Sequence, residues 1–295
     1  MFFVSQFYEY LKSISNVASN VYNYIFTFLK TNLTKNVECN YIEILHQSDN
    51  FLIVNKPYDM VINSNNPSVK KSVQLIIREM FPNLVNPNLY HEFYFVHRLD
   101  YATSGVMCLA LNKQSAQAAS SAFEERTVRK YYLALVHGHI DKYSMVIDIP
   151  IGHDVRELNG NRKMCTKDDD FCEKARKSCT ALLVLEKGYI DDRPVTKVLL
   201  YPKTGRRHQL RVHCAHIGHI IVGDYTYSGK TDTKPHRTFL HAFRLIIDNS
   251  IENLDVQTND PFCSSIPENQ WRPSTIVRLL DESAFSDIKD LAAGI

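Results

Sequence analysis

The residues of this chain with the most chemical potential fall in two short segments. The first, His97-Arg98-Leu99-Asp100-Tyr101-Ala102-Thr103-Ser104-Gly105, sets a carboxylate among a guanidinium, hydroxyls and a glycine, just before an apolar run beginning at Val106. A carboxylate on a loop entering a strand can be held rigidly enough to act as a nucleophile. By residue type alone the segment is equally readable as a turn in which Asp100 and Thr103 cap backbone amides and Gly105 takes an unusual dihedral. The second segment runs from Lys203 through Gly205-Arg206-Arg207-His208-Gln209-Leu210-Arg211 to His213. On a helix from about Arg207 to Ile217, Leu210, Cys214 and Ile217 turn toward a core, while Arg207 and Arg211 lie one turn apart on another face. A nucleophilic carboxylate in a partly dry pocket needs a cation to keep it ionised, and Arg211 is placed to meet Asp100; an isolated arginine would otherwise be a solvated surface charge.

Metal chemistry is the competing use of the second segment, because His208, His213, Cys214, His216 and His219 crowd together. His216 and His219 straddle the helix stop at Gly218, and Cys165, Cys172 and Cys179 lack the close pairs of structural zinc sites. No metal is expected.

The elements that must position these groups read as α+β, a mixed α/β arrangement. Tyr41 to Leu45 and Phe51 to Val54 form a hairpin around Ser48-Asp49-Asn50; Ser72 to Phe81 has helical spacing and Pro82 stops it. Val106 to Leu111, Gln114 to Arg126 and Tyr131 to Val136 read as strand, helix, strand, and alternation sends Tyr131 and Tyr132 to opposite faces. Further strands are predicted at Ala181 to Glu186, Val195 to Tyr201, Ile220 to Val222 and Phe239 to Ile247, with a solvated loop or hairpin excursion over Asp154 to Lys177. Residues 1–39 read as an amphipathic helical extension interrupted too often by polar residues to span a bilayer. The main folded domain, the candidate for any catalysis, is assigned to 40–250, and 251–295 to a C-terminal extension that packs on it or is partly mobile.

Composition excludes whole classes of protein. Hydrophobic residues at 44% and charged residues at 22% of 295 indicate a folded soluble chain. A net charge of +2 cannot make the whole surface a trap for nucleic acid, so RNA contact requires a local basic cleft. Seven cysteines, an odd number, suit free thiols and an intracellular location, cytoplasm or nucleus ahead of the mitochondrion.

The first segment closely resembles the signature loop of the RluA family of pseudouridine synthases. Three further segments agree in order: Lys130-Tyr131-Tyr132-Leu133-Ala134, Lys203 to His213, and Gly218-His219 through Gly223-Asp224. The lysine motif and Asp260-Pro261-Phe262 resemble those of the animal RNA pseudouridylate synthase domain-containing proteins. One departure is plain: Lys56-Pro57 is followed by Tyr58-Asp59 where the family has a small residue and a glycine, so a differently shaped lysine loop is expected. The resemblance implies the pseudouridine synthase fold, a large, mainly antiparallel twisted sheet flanked by helices, and isomerisation of uridine in RNA without a cofactor. It implies Asp100 as nucleophile, Tyr132 stacked on the base and engaged in proton removal, Arg211 as partner of Asp100, and Arg98 as the residue displacing a flipped base. Lys56, Lys130, Arg206 and Arg207, with Lys113, Arg126 and Arg129 in reserve, are assigned to RNA phosphates. The RNA partner is left open among transfer, ribosomal and messenger RNA, and a monomer is expected. The alternatives are a catalytically dispensable RNA chaperone on the same scaffold and a metal-dependent hydrolase.

Overall fold

Two-sided burial of short apolar strands dictates the architecture. In the computed structural model, which describes residues 41–156 and 163–294, β1 (Glu43–Gln47) and β2 (Phe51–Lys56) form the expected hairpin. The turn is closed by Ser48, whose hydroxyl accepts the N–H groups of Asn50 and Phe51. Helix α1 (Val73–Met80) starts where the Ser72 hydroxyl accepts the N–H of Leu75, which satisfies one of the orphan donors of its first turn. After β3 (Tyr94–Phe95) and β4 (Ser104–Ala110), α2 (Lys113–Glu124) is capped in the same way by Asn112.

β5 (Arg129–His137), β6 (Ser144–Ile147), β10 (Thr180–Ile190), β11 (Arg193–Pro202), β12 (Leu240–Ile247), β13 (Leu254–Gln257) and β14 (Arg272–Ile276) complete an eleven-stranded sheet among the described residues. Its path is β1-β2-β4-β12-β5-β11-β10-β14, with β3 on β4, β13 on β12 and β6 on β10; β4 and β12 run parallel and the other pairings are antiparallel. Alternation divides the core. Tyr131, Leu133 and Leu135 pack with α4 (Glu282–Ala293), while Ala134 and Val136 pack with α3 (Gln209–His216). Leu52 and Val54 likewise meet α1, and Phe51 and Ile53 meet α2. The result is the α+β class expected: a mixed sheet flanked by four helices.

The segment after 250 packs on the domain, since β13 and β14 add to the sheet and Phe262, Trp271, Phe285 and Ile288 join its core. Two details of the strand reading differ. Ile220 to Val222 is not a strand but a single bridge, Ile221 to Val136. The charged excursion carries its own antiparallel sheet of β7 (Ile151–Asp154), β8 (Met164–Thr166) and β9 (Cys172–Arg176). The expected helix over 1–39 lies outside the described residues. No helix among them is long and apolar enough to cross a membrane.

Candidate active site

Asp100 sits on the loop between β3 and β4, and buried groups hold that loop from behind. Lys56, at the end of β2 and fully buried, donates from Nζ to the carbonyls of Pro57 (2.8 Å), Tyr101 (3.1 Å) and Thr103 (2.8 Å). Burial pushes its pKa down to about 7, yet three carbonyl acceptors suit the three hydrogens of an ammonium. This corrects the assignment of Lys56 to an RNA phosphate: every hydrogen is engaged inside the protein. Asp59 has φ 52°, the left-handed conformation that a glycine adopts freely, and Tyr58 lays its ring 4.5 Å under the guanidinium of Arg237. His97 accepts the Cys108 N–H at 2.8 Å and stacks on Phe123, closing the loop's other side. Gly105 has φ 115°, and a Cβ there would lie 2.1 Å from the Ala242 carbonyl where β4 meets β12. Only glycine fits.

Helix α3 delivers the cations. Gln209 is buried; it receives the Thr204 hydroxyl and the Arg206 N–H and donates to Cys179 O and Thr180 Oγ1, stitching the Lys203 to His208 turn to β10. Arg211 is buried on the helix and binds Asp224 in a fork, Nε to Oδ2 at 2.6 Å and Nη2 to Oδ1 at 2.8 Å. Its free Nη1 stands 3.8 Å from Asp100 Oδ2. Asp224 is fully buried and also accepts the N–H groups of Thr226 and Tyr227. Burial raises the Asp100 pKa, and Arg211, Arg98 and Arg207 pull it back in that order.

Asp100, Tyr132, Arg211, Arg98, Lys130, Arg206 and Arg207 all line one cleft of about 470 Å³, together with Arg126 and His208. Burial and then the Asp100 charge push the Tyr132 phenol above its ordinary range, so it is a neutral hydroxyl. Tyr131 points the other way, against Phe285 and Tyr201. Burial holds Lys130 down at about 8. Among the described residues Arg98, Arg126, Lys130 and Arg207 have no carboxylate partner, and the Nε of Arg207 is buried without an acceptor. Arg129 is not in the cleft and pairs with Asp248 at 2.6 Å; Lys113 is also outside it.

Three histidines of the histidine-rich segment, His208, His213 and His219, are engaged in hydrogen bonds. His213 meets Thr180 Oγ1 and the Ile149 carbonyl, and His219 meets the His137 carbonyl. His208, absent from the expected site, lines the cleft, and Tyr227 backs it against His208 and Arg211. His208 lies within the Lys203 to His213 motif; Tyr227, three residues past Asp224, has no signal of its own in the sequence.

Comparison with known proteins identifies the family. A family model described as RNA pseudouridylate synthase matches residues 50–216. The RNA pseudouridylate synthase domain-containing protein 1 of Danio rerio is 44% identical over 254 residues, 86% of either chain. The dual-specificity RNA pseudouridine synthase RluA of Vibrio vulnificus (strain CMCP6) is 35% identical over 206 residues, 69% of this chain and 76% of that one. The solved structure of human RNA pseudouridylate synthase domain containing 1 superposes with a TM-score of 0.75 at 38% identity, covering 87% of this chain and 98% of that one.

Proposed function

The chain belongs to the RNA pseudouridylate synthase family, and from that premise we propose that it converts uridine to pseudouridine in RNA with Asp100 as the nucleophile. The observation that carries this is the carboxylate of Asp100, largely buried at the floor of a cationic cleft between a guanidinium whose fork is neutralised elsewhere and a tyrosine ring.

The reaction breaks the bond from uracil N1 to the anomeric carbon, turns the base and rejoins it through C5, with no atoms gained or lost. Asp100 attacks the sugar and later leaves, dividing one hard step into two. Because Asp224 engages the fork of Arg211, the guanidinium lends Asp100 partial compensation without clamping its lone pairs. The ring of Tyr132 offers the base a stacking face. Attack consumes the Asp100 charge, which removes one of the two causes that keep the phenol protonated, so once the sugar has been captured Tyr132 can give its own hydrogen to the uracil anion released from the anomeric carbon and then, as phenolate, take the C5 proton, a net transfer from C5 to N1. Arg98 is exposed beside the nucleophile and suits bracing of the gap that a flipped uridine leaves, extrusion costing roughly a few kcal/mol. Arg126, Lys130, Arg206 and Arg207 suit phosphate contacts around the mouth.

The test is mass-spectrometric detection of pseudouridine after incubating unmodified RNA transcripts with the protein and with Asp100→Asn. Product from the unaltered protein alone, with RNA affinity of the variant within about threefold, is expected, since the exchange removes a charge and no group that binds phosphate. Product from the variant would overturn the role of Asp100. RNA binding without product from either would favour the chaperone reading.

A further inference from the structure

The hydrogen bonds around His208 determine where its ring carries a proton. The residue stands at the start of α3 with φ 54° and ψ 17°, a left-handed conformation that costs on the order of 1 kcal/mol for a residue with a side chain and persists where surroundings enforce it. Its ring meets Tyr227 edge-on, with Nδ1 3.1 Å from Tyr227 Oη. The same Oη accepts the backbone N–H of Met164, on β8, at 3.1 Å. A phenol has one hydrogen, and among the described residues Nδ1 of His208 is the acceptor in reach of it. The O–H therefore points at Nδ1, which carries a lone pair, and a neutral ring holds its hydrogen on Nε2. Nε2 faces Asp100 Oδ1 at 3.9 Å, while Arg211 faces the other oxygen, Oδ2, at 3.8 Å.

We propose that His208 is a positioning residue for Asp100, a neutral donor that turns the carboxylate through Nε2–H to Oδ1, its tautomer set by the relay from Met164 N–H through the Tyr227 hydroxyl to Nδ1. The inference rests on the uridine isomerase reading of the cleft. The substrate-free distance of 3.9 Å is to close when RNA is bound, as such contacts do. A second cation at this place would deepen the ion pair and blunt the nucleophile; a neutral N–H orients it and leaves its charge nearly whole. Burial, with Arg211 and Arg207 adding to it, holds the ring at a pKa of about 3, in keeping with a neutral donor. The same tautomer leaves no lone pair on Nε2, so His208 does not receive the C5 proton.

The titrating surroundings are defined on every side. Arg98 faces Asp100 from its own loop, Arg207 and Arg211 from the α3 segment, Asp224 and Tyr227 from the chain beyond it, Tyr132 from β5 and Lys56 from β2. Two measurements on the full chain decide the matter. Nitrogen-15 NMR, with His208→Gln for assignment, reads the ring without turnover: a neutral Nε2–H ring down to about pH 5 is expected. A ring protonated at neutral pH, or carrying its hydrogen on Nδ1, overturns the relay.

The second is the pH–rate profile of uridine conversion. His208→Leu lowers kcat about 10- to 100-fold with KM within about twofold, and moves the acidic limb to higher pH because ionised Asp100 has lost a donor. His208→Gln places an amide N–H near the position of Nε2 and regains at least about fivefold of that loss. A fall in kcat with an unmoved limb and no regain by Gln would make His208 merely structural. Should the unaltered protein make no pseudouridine, the isomerase reading fails while the NMR result still decides the relay.

Discussion

Burial of Asp100, the proposed nucleophile, comes at the expense of the fold. Its pKa is raised in the folded protein, burial outweighing the three arginines around it. The native state therefore holds this proton to higher pH than the unfolded chain does. Stability from this group falls as pH rises from the ordinary carboxylate range through the raised folded value, and the loss is complete above that value. Asp100→Asn, which cannot ionise, is accordingly expected to raise the melting temperature at pH 7, by about 2–4 °C for each kcal/mol recovered, while abolishing product. Thermal melts at pH 7 and at pH 4 check the sign: the gain shrinks at the lower pH. An Asn variant that melts lower at both would show that the arginines dominate. Asp100, Tyr132 and Arg211 were legible because their motifs fix residue type and order. His208 was not legible as a neighbour of Asp100, since its role depends on Tyr227 and Met164, which reach it through the fold.

At the scale of elements, β2 and its lysine show how a motif gives the residue but not its direction. Phe51, Leu52, Ile53 and Val54 are buried on both faces, so Lys56 at the end of the strand has no solvent side to reach. The run of apolar residues before it carried that signal. Lys56→Met removes the donor for three carbonyls, each costing on the order of 1 kcal/mol when left unpaired, and releases the loop that holds Asp100. A lower melting temperature and a fall in kcat are expected, with RNA affinity little changed. If affinity fell and kcat held, Lys56 would be a phosphate ligand after all. The hairpin, three helices and the long central strands were read from periodicity and capping residues. β6 to β9, β13 and β14 were not, because strands of three to five residues are too short to show a period and acquire their pairing from a neighbour.

For the whole molecule, the small net charge hides a division of labour among cations. Arg78, Arg129, Arg244, Arg272 and Arg278 each pair with a carboxylate. Arg98, Arg126, Lys130 and Arg207 share the cleft without one among the described residues. Replacing Arg98 and Arg207 by Gln is expected to weaken RNA binding across sequences, and to flatten the plot of log affinity against log salt by about 0.7 for each phosphate of single-stranded RNA no longer neutralised. Arg272→Gln, remote and paired with Asp192, is the control and leaves the slope unchanged. A slope unaffected by the cleft variants would place the RNA elsewhere.

The sequence by itself determined the family, the order of its motifs, the class of fold and the opposite facing of Tyr131 and Tyr132, all properties of residue type and local period. Tertiary structure alone decided that Lys56 is a buried clasp, that Asp224 occupies the fork of Arg211, and that His208 and Tyr227 complete the surroundings of Asp100. The physical reason is common to these cases: burial and hydrogen-bond direction are set by groups distant in the chain, which no local pattern encodes.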